Sequence, residues 1–286
     1  MTAIRPRRSA LYLPASNSRA LEKARTLACD VVILDLEDAV GPDAKVEARE
    51  QAVSAVKAGG FGRRELVVRV NGLDTPWGAD DLAALAKVRP NAILAPKVSS
   101  VDELNAYASR VGETRLWIMV ETCKALFALD ALGHAALANR TDGWVIGTND
   151  LAKEMRCRPD ADRTPLLAPL SLAVAAARAH GLAILDGVFN EIADAEGFER
   201  QCRQGVEFGF DGKTLIHPSQ LEPANRIFAP EAGEAAWART IVEAFAAPEN
   251  ASKGVIKVEG RMVERLHLAE AERLIAISEA IAAHEA

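Results

Sequence analysis

The sequence predicts an α/β fold of the (β/α)8 TIM-barrel class with a C-terminal helical lid extension. Eight short apolar runs recur along the chain, and most are rich in valine, isoleucine and leucine. Continuous apolar runs of this length are typical of parallel strands that are buried on both faces. The runs are Ala10–Leu13, Val31–Leu36, Leu66–Val70, Ala92–Ala95, Leu116–Val120, Trp144–Ile146, Ala183–Leu185 and, more weakly, Gly212–Ile216.

Segments with helical character separate these runs. Several begin with a residue that commonly caps a helix and continue with apolar residues at helical spacing. The predicted helix starts are Asn17-Ser18, Asp43, Asp80-Asp81 and Ser99-Ser100. Eight strands that alternate with helices favour a closed barrel. A doubly wound open sheet is the alternative, and the lack of a G-x-G-x-x-G motif after the first run weakens its dinucleotide-binding version.

The pattern changes near residue 230, so we assign residues 1–230 to the barrel and 231–286 to the extension. The extension is predicted to contain a helix over Ala232–Ala247, a short extended piece over Gly254–Glu259 and an amphipathic helix over Val263–Ala283. A barrel does not need this length. The extension is therefore expected to cap the barrel, to pack on a neighbouring subunit or to close over the active site.

Composition excludes several classes of function. The 286-residue chain has 34 basic and 40 acidic residues, and its only basic cluster is Arg5, Arg7 and Arg8, which is too short to indicate nucleic-acid binding. The four cysteines form no CxxC pair, which is typical of reduced thiols. No signal peptide and no run of about 18 apolar residues is present. We therefore expect a soluble, cytoplasmic protein.

Charged or polar residues lie at the ends of most of the predicted strands. In a barrel of this type the active site lies at the carboxyl ends of the strands. Burying so many charges there is costly unless they are paired or bind a cation, so a functional site is favoured over a purely structural one. The residues in question are Asp35, Glu37, Asp38, Arg69, Lys97, Glu121, Asp150, Asp186, Asn190 and His217.

Glu121 and Asp150 are the predicted metal ligands. They follow consecutive strands, which are neighbours in a barrel. Carboxylate oxygens converging from adjacent strand ends suit Mg²⁺, which usually takes one or two protein carboxylates. The structural alternative is a salt bridge from one of them to Arg69 or Lys97.

Arg69 and Lys97 are the predicted cationic residues of the site. The guanidinium of Arg69 can hold a substrate carboxylate through two hydrogen bonds, or it can pair with Asp35 or Glu37 inside the barrel mouth. Lys97 can form a Schiff base or serve as an ion-pair partner, and the second role is favoured.

Eight collinear motifs resemble the citrate lyase beta subunit-like family of the HpcH/HpaI aldolase superfamily, which includes malyl-CoA and citramalyl-CoA lyases. The resemblance covers residues 8–275. The motifs are Leu11–Asn17, Val32–Val40, Arg69–Gly72, Pro96-Lys97, Val120–Thr122, Gly147–Leu151, Asp186–Val188 and Gly212–Pro218.

The resemblance implies modified barrels that assemble as trimers or hexamers. It places the metal ligands on Glu121 and Asp150 and the arginine that holds the oxo acid on Arg69. It also implies an acidic residue in a lid supplied by a neighbouring subunit. That position is Glu264 in the segment Gly260–Glu264, where the family has aspartate. Asn149 stands where many relatives carry glutamate.

The predicted function is that of a Mg²⁺-dependent carbon–carbon lyase. Its substrate would be a 3-hydroxy-dicarboxyl-CoA ester such as malyl-CoA or citramalyl-CoA, and its products acetyl-CoA and a 2-oxo acid. The alternatives are a thioesterase on similar esters and a citryl-carrier-protein lyase subunit of a citrate lyase complex. The predicted catalytic residues are Arg69, Glu264 and Glu37, and the predicted substrate-binding residues are Arg69, Glu121, Lys97, Arg8 and Asn190.

Overall fold

The computed structural model describes residues 4–250 and 252–285. The chain divides into two compact units, of which the larger is Arg7–Phe228 and the other contains the chain from Ala229 onward. In the larger unit eight strands form a closed barrel, as the sequence predicts. The strands are β1 (Ser9–Pro14), β2 (Val31–Asp35), β3 (Glu65–Arg69), β4 (Ala92–Ala95), β5 (Arg115–Val120), β6 (Thr141–Ile146), β7 (Ala183–Asp186) and β8 (Gly212–Leu215).

The barrel is parallel throughout and closes by pairing of its first and last strands. Ser9, Ala10 and Leu11 of β1 pair with Lys213, Thr214 and Leu215 of β8. One set of side chains, including Ile33, Leu94 and Trp117, fills the barrel interior. The alternate set packs against the surrounding helices. Because both faces are buried, the strands read as continuous apolar runs in the sequence.

Ten helices accompany the barrel strands within the described part of the chain. They are α1 (Ser18–Ala24), α2 (Lys45–Ala58), α3 (Gly78–Leu85), α4 (Val101–Ala108), α5 (Cys123–Leu126), α6 (Leu129–Ala136), α7 (Thr148–Met155), α8 (Leu167–Ala179), α9 (Ala195–Phe208) and α10 (Leu221–Ile227). Short 3₁₀ turns lie at Pro42–Ala44, Thr164–Leu166 and Pro218–Gln220. None of the helices in the ranges described is both long and apolar enough to cross a bilayer.

Two of the predicted helix caps are confirmed and two are wrong. The side chains of Asn17 and Ser100 accept hydrogen bonds from the first turns of α1 and α4. Asp43 does not cap α2, because it lies inside the 3₁₀ turn that precedes that helix. Asp81 lies inside the first turn of α3, where its buried carboxylate accepts hydrogen bonds from the backbone and side chain of Asn71.

The second unit contains α11 (Ala232–Ala246), a two-stranded antiparallel hairpin of β9 (Val255–Val258) and β10 (Arg261–Glu264), and α12 (Arg265–Glu285). Val263 and Glu264 were predicted to lie in the last helix, but they lie in β10, so that prediction is wrong. Glu259 and Gly260 adopt positive φ angles of 46° and 83° and turn the chain back into β10. Packing of this extension on a neighbouring subunit stays a prediction.

Candidate active site

Five charged side chains converge at the carboxyl end of the barrel, and we call Glu37, Arg69, Lys97, Glu121 and Asp150 the mouth cluster. The backbone N–H of Lys97 donates to Glu121 Oε1 at 2.8 Å. Lys97 Nζ lies 3.1 Å from Glu37 Oε1 and 3.6 Å from Asp150 Oδ2. Arg69 Nη1 lies 3.0 Å from Glu37 Oε2. The structure therefore brings together five residues that the sequence analysis selected.

Glu121 directly follows β5, and its side chain is almost completely buried. Gly147 makes room for it, because a Cβ at that position would overlap the Glu121 carboxylate. Burial raises the pKa of Glu121 to about 8, and the carboxylates of Glu37 and Asp150 add to this effect, whereas the Lys97 N–H opposes it. A buried carboxylate with further carboxylates around it is stabilised by a nearby cation.

Asp150 lies in the first turn of α7, which begins directly after Gly147. Glu121 and Asp150 thus come from the ends of the adjacent strands β5 and β6. Across residues 4–250 and 252–285, no three or more His, Cys, Asp or Glu side chains are grouped to hold a metal ion. Mg²⁺ needs fewer protein ligands, because water and substrate oxygens complete its octahedron. The donor set of the buried Glu121, which Gly147 accommodates, and the nearby Asp150 fits such an ion.

Lys97 occupies a left-handed turn after β4, with a φ angle of 53°. Burial lowers its pKa, but the carboxylates of Glu37 and Asp150 outweigh this effect and hold the pKa above the ordinary value. A Schiff base requires the neutral amine, so this environment disfavours that role. The ammonium group is half exposed, which leaves it accessible to an anionic substrate.

Arg69 is held on one side by a carboxylate that the sequence analysis considered only as a structural partner. Its Nε and Nη2 donate to Asp35 Oδ1 and Oδ2 at 2.7 and 2.6 Å. The guanidinium also lies 4.9 Å above the ring of Tyr12. Nη1 points into the mouth, towards Glu37 and Asp38. Asp35 takes only two of the five N–H donors of the guanidinium, so Nη1 and the second N–H of Nη2 are left for a substrate carboxylate, and the two-bond grip stays a prediction.

Glu37 has the features of a group that can exchange a proton. Burial raises its pKa, and the charge of Arg69 offsets this only in part. Its Oε2 is buried and accepts no well-aligned hydrogen bond from the residues the structure describes, although Arg69 Nη1 is close. This oxygen therefore keeps capacity to accept a hydrogen bond while it stays in an ion pair with Arg69.

Asn190 lies in the loop after β7 and exchanges hydrogen bonds with Asn149. Asn190 Nδ2 donates to Asn149 Oδ1 at 2.9 Å, and Asn149 Nδ2 donates back at 3.3 Å. Asn149 precedes Asp150 in α7, so the amide pair borders the mouth cluster. Both side chains are exposed, and a substrate-binding role for Asn190 remains a proposal.

Arg8 is not placed to bind substrate at the mouth. It directly precedes β1, which puts it at the opposite end of the barrel. Its Nε and Nη2 donate to the two carboxylate oxygens of Asp30, each at 2.9 Å, and both side chains are buried. Arg8 therefore belongs to a structural ion pair, and its prediction as a substrate-binding residue is wrong.

Two other strand-end residues also have structural roles. Asp186 is fully buried between two cations, with Arg163 Nη1 at 2.7 Å and Lys213 Nζ at 2.8 Å. Lys213 also donates to Gln201 of α9, so this network lies between the barrel and its helices. His217 is exposed, and its Nδ1 caps the 3₁₀ turn Pro218–Gln220. The charges at the strand ends therefore do not all belong to one site.

Glu264 is the last residue of β10 in the second unit, and its side chain is exposed. Its backbone N–H donates to His267 Nδ1 at 2.9 Å, which fixes the start of α12. The predicted role of Glu264 in a lid over a neighbouring barrel stays a prediction.

Comparison with known proteins identifies the family. The sequence profile of the HpcH/HpaI aldolase/citrate lyase family matches residues 8–218. The chain belongs to this family. It is 48% identical over 282 residues to a (3S)-malyl-CoA thioesterase of Cereibacter sphaeroides, covering 98% of both chains. It is 32% identical to an L-malyl-CoA/beta-methylmalyl-CoA lyase of the same species, covering 98% of this chain and 96% of the relative.

The chain also resembles a solved protein structure. It is the protein CitE from Mycobacterium tuberculosis, in complex with magnesium, acetoacetate and coenzyme A. The TM-score is 0.78 and the identity 29%, with 98% of this chain and 100% of that chain covered. The family resemblance inferred from the sequence motifs is confirmed.

Proposed function

We propose that this protein hydrolyses the thioester of (3S)-malyl-CoA or a closely similar CoA ester, with Mg²⁺ held by Glu121 and Asp150. The observation that carries the proposal is the much higher identity to the thioesterase than to the lyase, each over nearly the whole length. The carbon–carbon lyase, which the sequence analysis favoured, becomes the second candidate. The mouth cluster supports either reaction, because both need a carboxylate and a hydroxyl of the substrate to be bound beside a thioester.

The segment around Glu264 also supports hydrolysis. Cleavage of the carbon–carbon bond needs a precisely placed acid at the enolate carbon, and the family position for it carries aspartate. Glutamate is longer by one methylene, and a displacement of about 1 Å can reduce a rate by about 100-fold. Hydrolysis does not need an acid at that carbon.

Each residue of the mouth cluster has a different role in the proposed hydrolysis. Bound Mg²⁺ would supply a Lewis acid that polarises a substrate carbonyl and holds a carboxylate oxygen. Arg69 binds the substrate carboxylate through Nη1, and Lys97 adds positive charge at the entrance. Glu37 Oε2 accepts the proton of the attacking water.

The covalent step is the replacement of a carbon–sulfur bond by a carbon–oxygen bond. The water oxygen bonds to the thioester carbonyl carbon, and the sulfur leaves with the electron pair of the broken bond. The proton held on Glu37 then passes to the thiolate, which yields free CoA and malate. No oxidant or reductant is needed.

The proposal is tested by following both sets of products in one reaction. With purified protein, Mg²⁺ and (3S)-malyl-CoA, we expect free thiol and malate to form in equal amounts without glyoxylate. Glyoxylate and acetyl-CoA without free thiol would contradict hydrolysis and establish the lyase. Activity only after addition of a carrier protein would instead identify a citrate lyase subunit.

Gly147→Ala is expected to lower kcat/KM for CoA release by about 100-fold, because the added methyl group displaces the Glu121 carboxylate. The Mg²⁺ concentration needed for half-maximal activity should rise as well. Gly233→Ala is the matched control, since a Cβ there meets no atom within 4 Å. Equal kinetics of the two variants would show that Glu121 does not need this space.

A further inference from the structure

The carboxylate of Asp35, next to the mouth cluster, accepts four hydrogen bonds from protein donors. It is the last residue of β2 and is almost fully buried. Its two oxygens accept the paired hydrogen bonds from Arg69. They also accept the backbone N–H of Glu37 at 2.9 Å and of Ala39 at 3.1 Å. Four donors therefore surround one carboxylate, which fills its capacity to accept hydrogen bonds.

This arrangement fixes two functional groups at once. A free arginine side chain samples many rotamers, but paired bonds on one edge of the guanidinium leave a single orientation. In that orientation Nη1 is the nitrogen that faces the mouth. The bonds to the backbone N–H groups hold the Leu36–Ala39 loop in place, and this loop carries Glu37.

A second buried residue, Lys45, also holds the Leu36–Ala39 loop in place. Lys45 Nζ donates to the backbone carbonyls of Leu36 and Glu37 at 2.8 and 2.7 Å. Its ammonium group lies 5.4 Å above the ring of Trp77. Lys45 thus holds the carbonyls of the loop, whereas Asp35 holds its amides and, in addition, the guanidinium of Arg69.

We propose that Asp35 is a positioning residue for the reaction, acting through Arg69 and through the loop of Glu37. The inference rests on the proposed function of the mouth cluster. Asp35 itself contacts neither substrate nor metal, because its oxygens are occupied by protein donors. Its loss should reduce turnover through misplacement of Nη1 and of Glu37 Oε2, beyond any loss of stability.

The chain offers a matched control in the pair of Arg8 and Asp30. This is also a buried, two-bond arginine–aspartate pair in which the aspartate accepts a backbone N–H, but it lies at the opposite end of the barrel. Asp35→Asn and Asp30→Asn should therefore lower the melting temperature to a similar degree. Only Asp35→Asn is expected to lower kcat, by about 100-fold, with Asp30→Asn within about threefold of the unaltered protein.

Guanidinium rescue tests the contact directly. In Arg69→Ala the vacated space faces the Asp35 carboxylate, so millimolar guanidinium chloride should bind there and restore activity at least about tenfold. In the double variant Arg69→Ala/Asp35→Asn the rescue should disappear. Equal rescue in both variants, or equal loss of kcat in Asp35→Asn and Asp30→Asn, would overturn the proposal.

A thermal measurement separates this inference from the proposed function. Guanidinium at the same concentrations should raise the melting temperature of Arg69→Ala by about 2 °C or more and leave the double variant unchanged. This readout needs no substrate. If the unaltered protein does not hydrolyse malyl-CoA, the proposed function fails. A rise in the melting temperature of Arg69→Ala that requires Asp35 would still support the contact between Asp35 and the guanidinium group. An equal rise in the melting temperature of the double variant would overturn the proposed role of Asp35.

Discussion

Glu121→Gln is expected to lower kcat/KM for CoA release by about 1000-fold, which corresponds to about 4 kcal/mol of transition-state stabilisation. Glutamine keeps the volume and one carbonyl oxygen of Glu121 but removes the negative charge that a hard cation requires. The concentration of Mg²⁺ needed for half-maximal activity should rise in parallel. Steady-state release of free thiol over a range of Mg²⁺ concentrations measures both effects.

The control for this variant is Glu113→Gln. Glu113 is exposed and pairs only loosely with Arg89, at 3.5 Å. Exposed pairs of this kind contribute less than about 1 kcal/mol, so its activity and stability should be unchanged. Full activity of Glu121→Gln at the same Mg²⁺ concentration would show that the metal assignment is wrong.

Asp186→Asn is expected to reduce the free energy of unfolding by about 3–5 kcal/mol, because it leaves two buried cations without their shared carboxylate. Arg163 and Lys213 are both almost completely buried, and Arg163 also donates to Gln204 of α9. Urea denaturation at pH 7 measures the change. Glu222→Gln, which breaks the exposed pair with Arg226, should leave the free energy of unfolding nearly unchanged.

The effect of Asp186 should also depend on pH in a defined direction. The charges of Lys213 and Arg163 outweigh burial and hold the pKa of Asp186 below its usual range. A carboxylate with a lowered pKa stabilises the fold above its unfolded pKa of about 3.9 and loses this contribution as the pH falls through the lower, folded value. The difference between the unaltered protein and Asp186→Asn should therefore narrow below about pH 4. A pH-independent difference would contradict the charge assignment.

The fold could be predicted because strands that are buried on both faces consist of continuous apolar residues, which are visible in the sequence. All eight apolar runs became barrel strands, and the largest shift is at β6, which begins at Thr141 rather than Trp144. Thr141 and Gly143 interrupt the apolar run although they are buried in the strand. The hairpin of the second unit was missed, because only four residues separate the turn at Gly260 from α12.

The sequence allowed us to predict which residues lie near the mouth of the barrel, but not which of them form ion pairs with one another. Glu121 and Asp186 both lie at strand ends, yet one faces the mouth and the other faces the helices. Successive side chains of a strand point to opposite faces, so a shift of one position decides whether a carboxylate faces the mouth or the surrounding helices. The sequence does not show that register directly. Arg8, in contrast, could have been excluded, since it precedes a strand and the site lies where strands end.

In the sequence, Asp35 was only one of several acidic residues at the end of β2. Its importance comes from the fork of Arg69, which is 34 positions away in the chain and lies opposite Asp35 in the register of β2 and β3. Such a pairing depends on which strands are neighbours and on their stagger. These are properties of the closed barrel and not of any local pattern.

The most direct test of the account is hydrolysis of (3S)-malyl-CoA in water enriched in ¹⁸O, with mass analysis of the malate formed. We expect one ¹⁸O atom in the carboxylate derived from the thioester for each CoA released, and we expect Glu121→Gln to lose this reaction. Glyoxylate and acetyl-CoA as the only products, with no malate formed, would contradict hydrolysis and establish cleavage of the carbon–carbon bond instead.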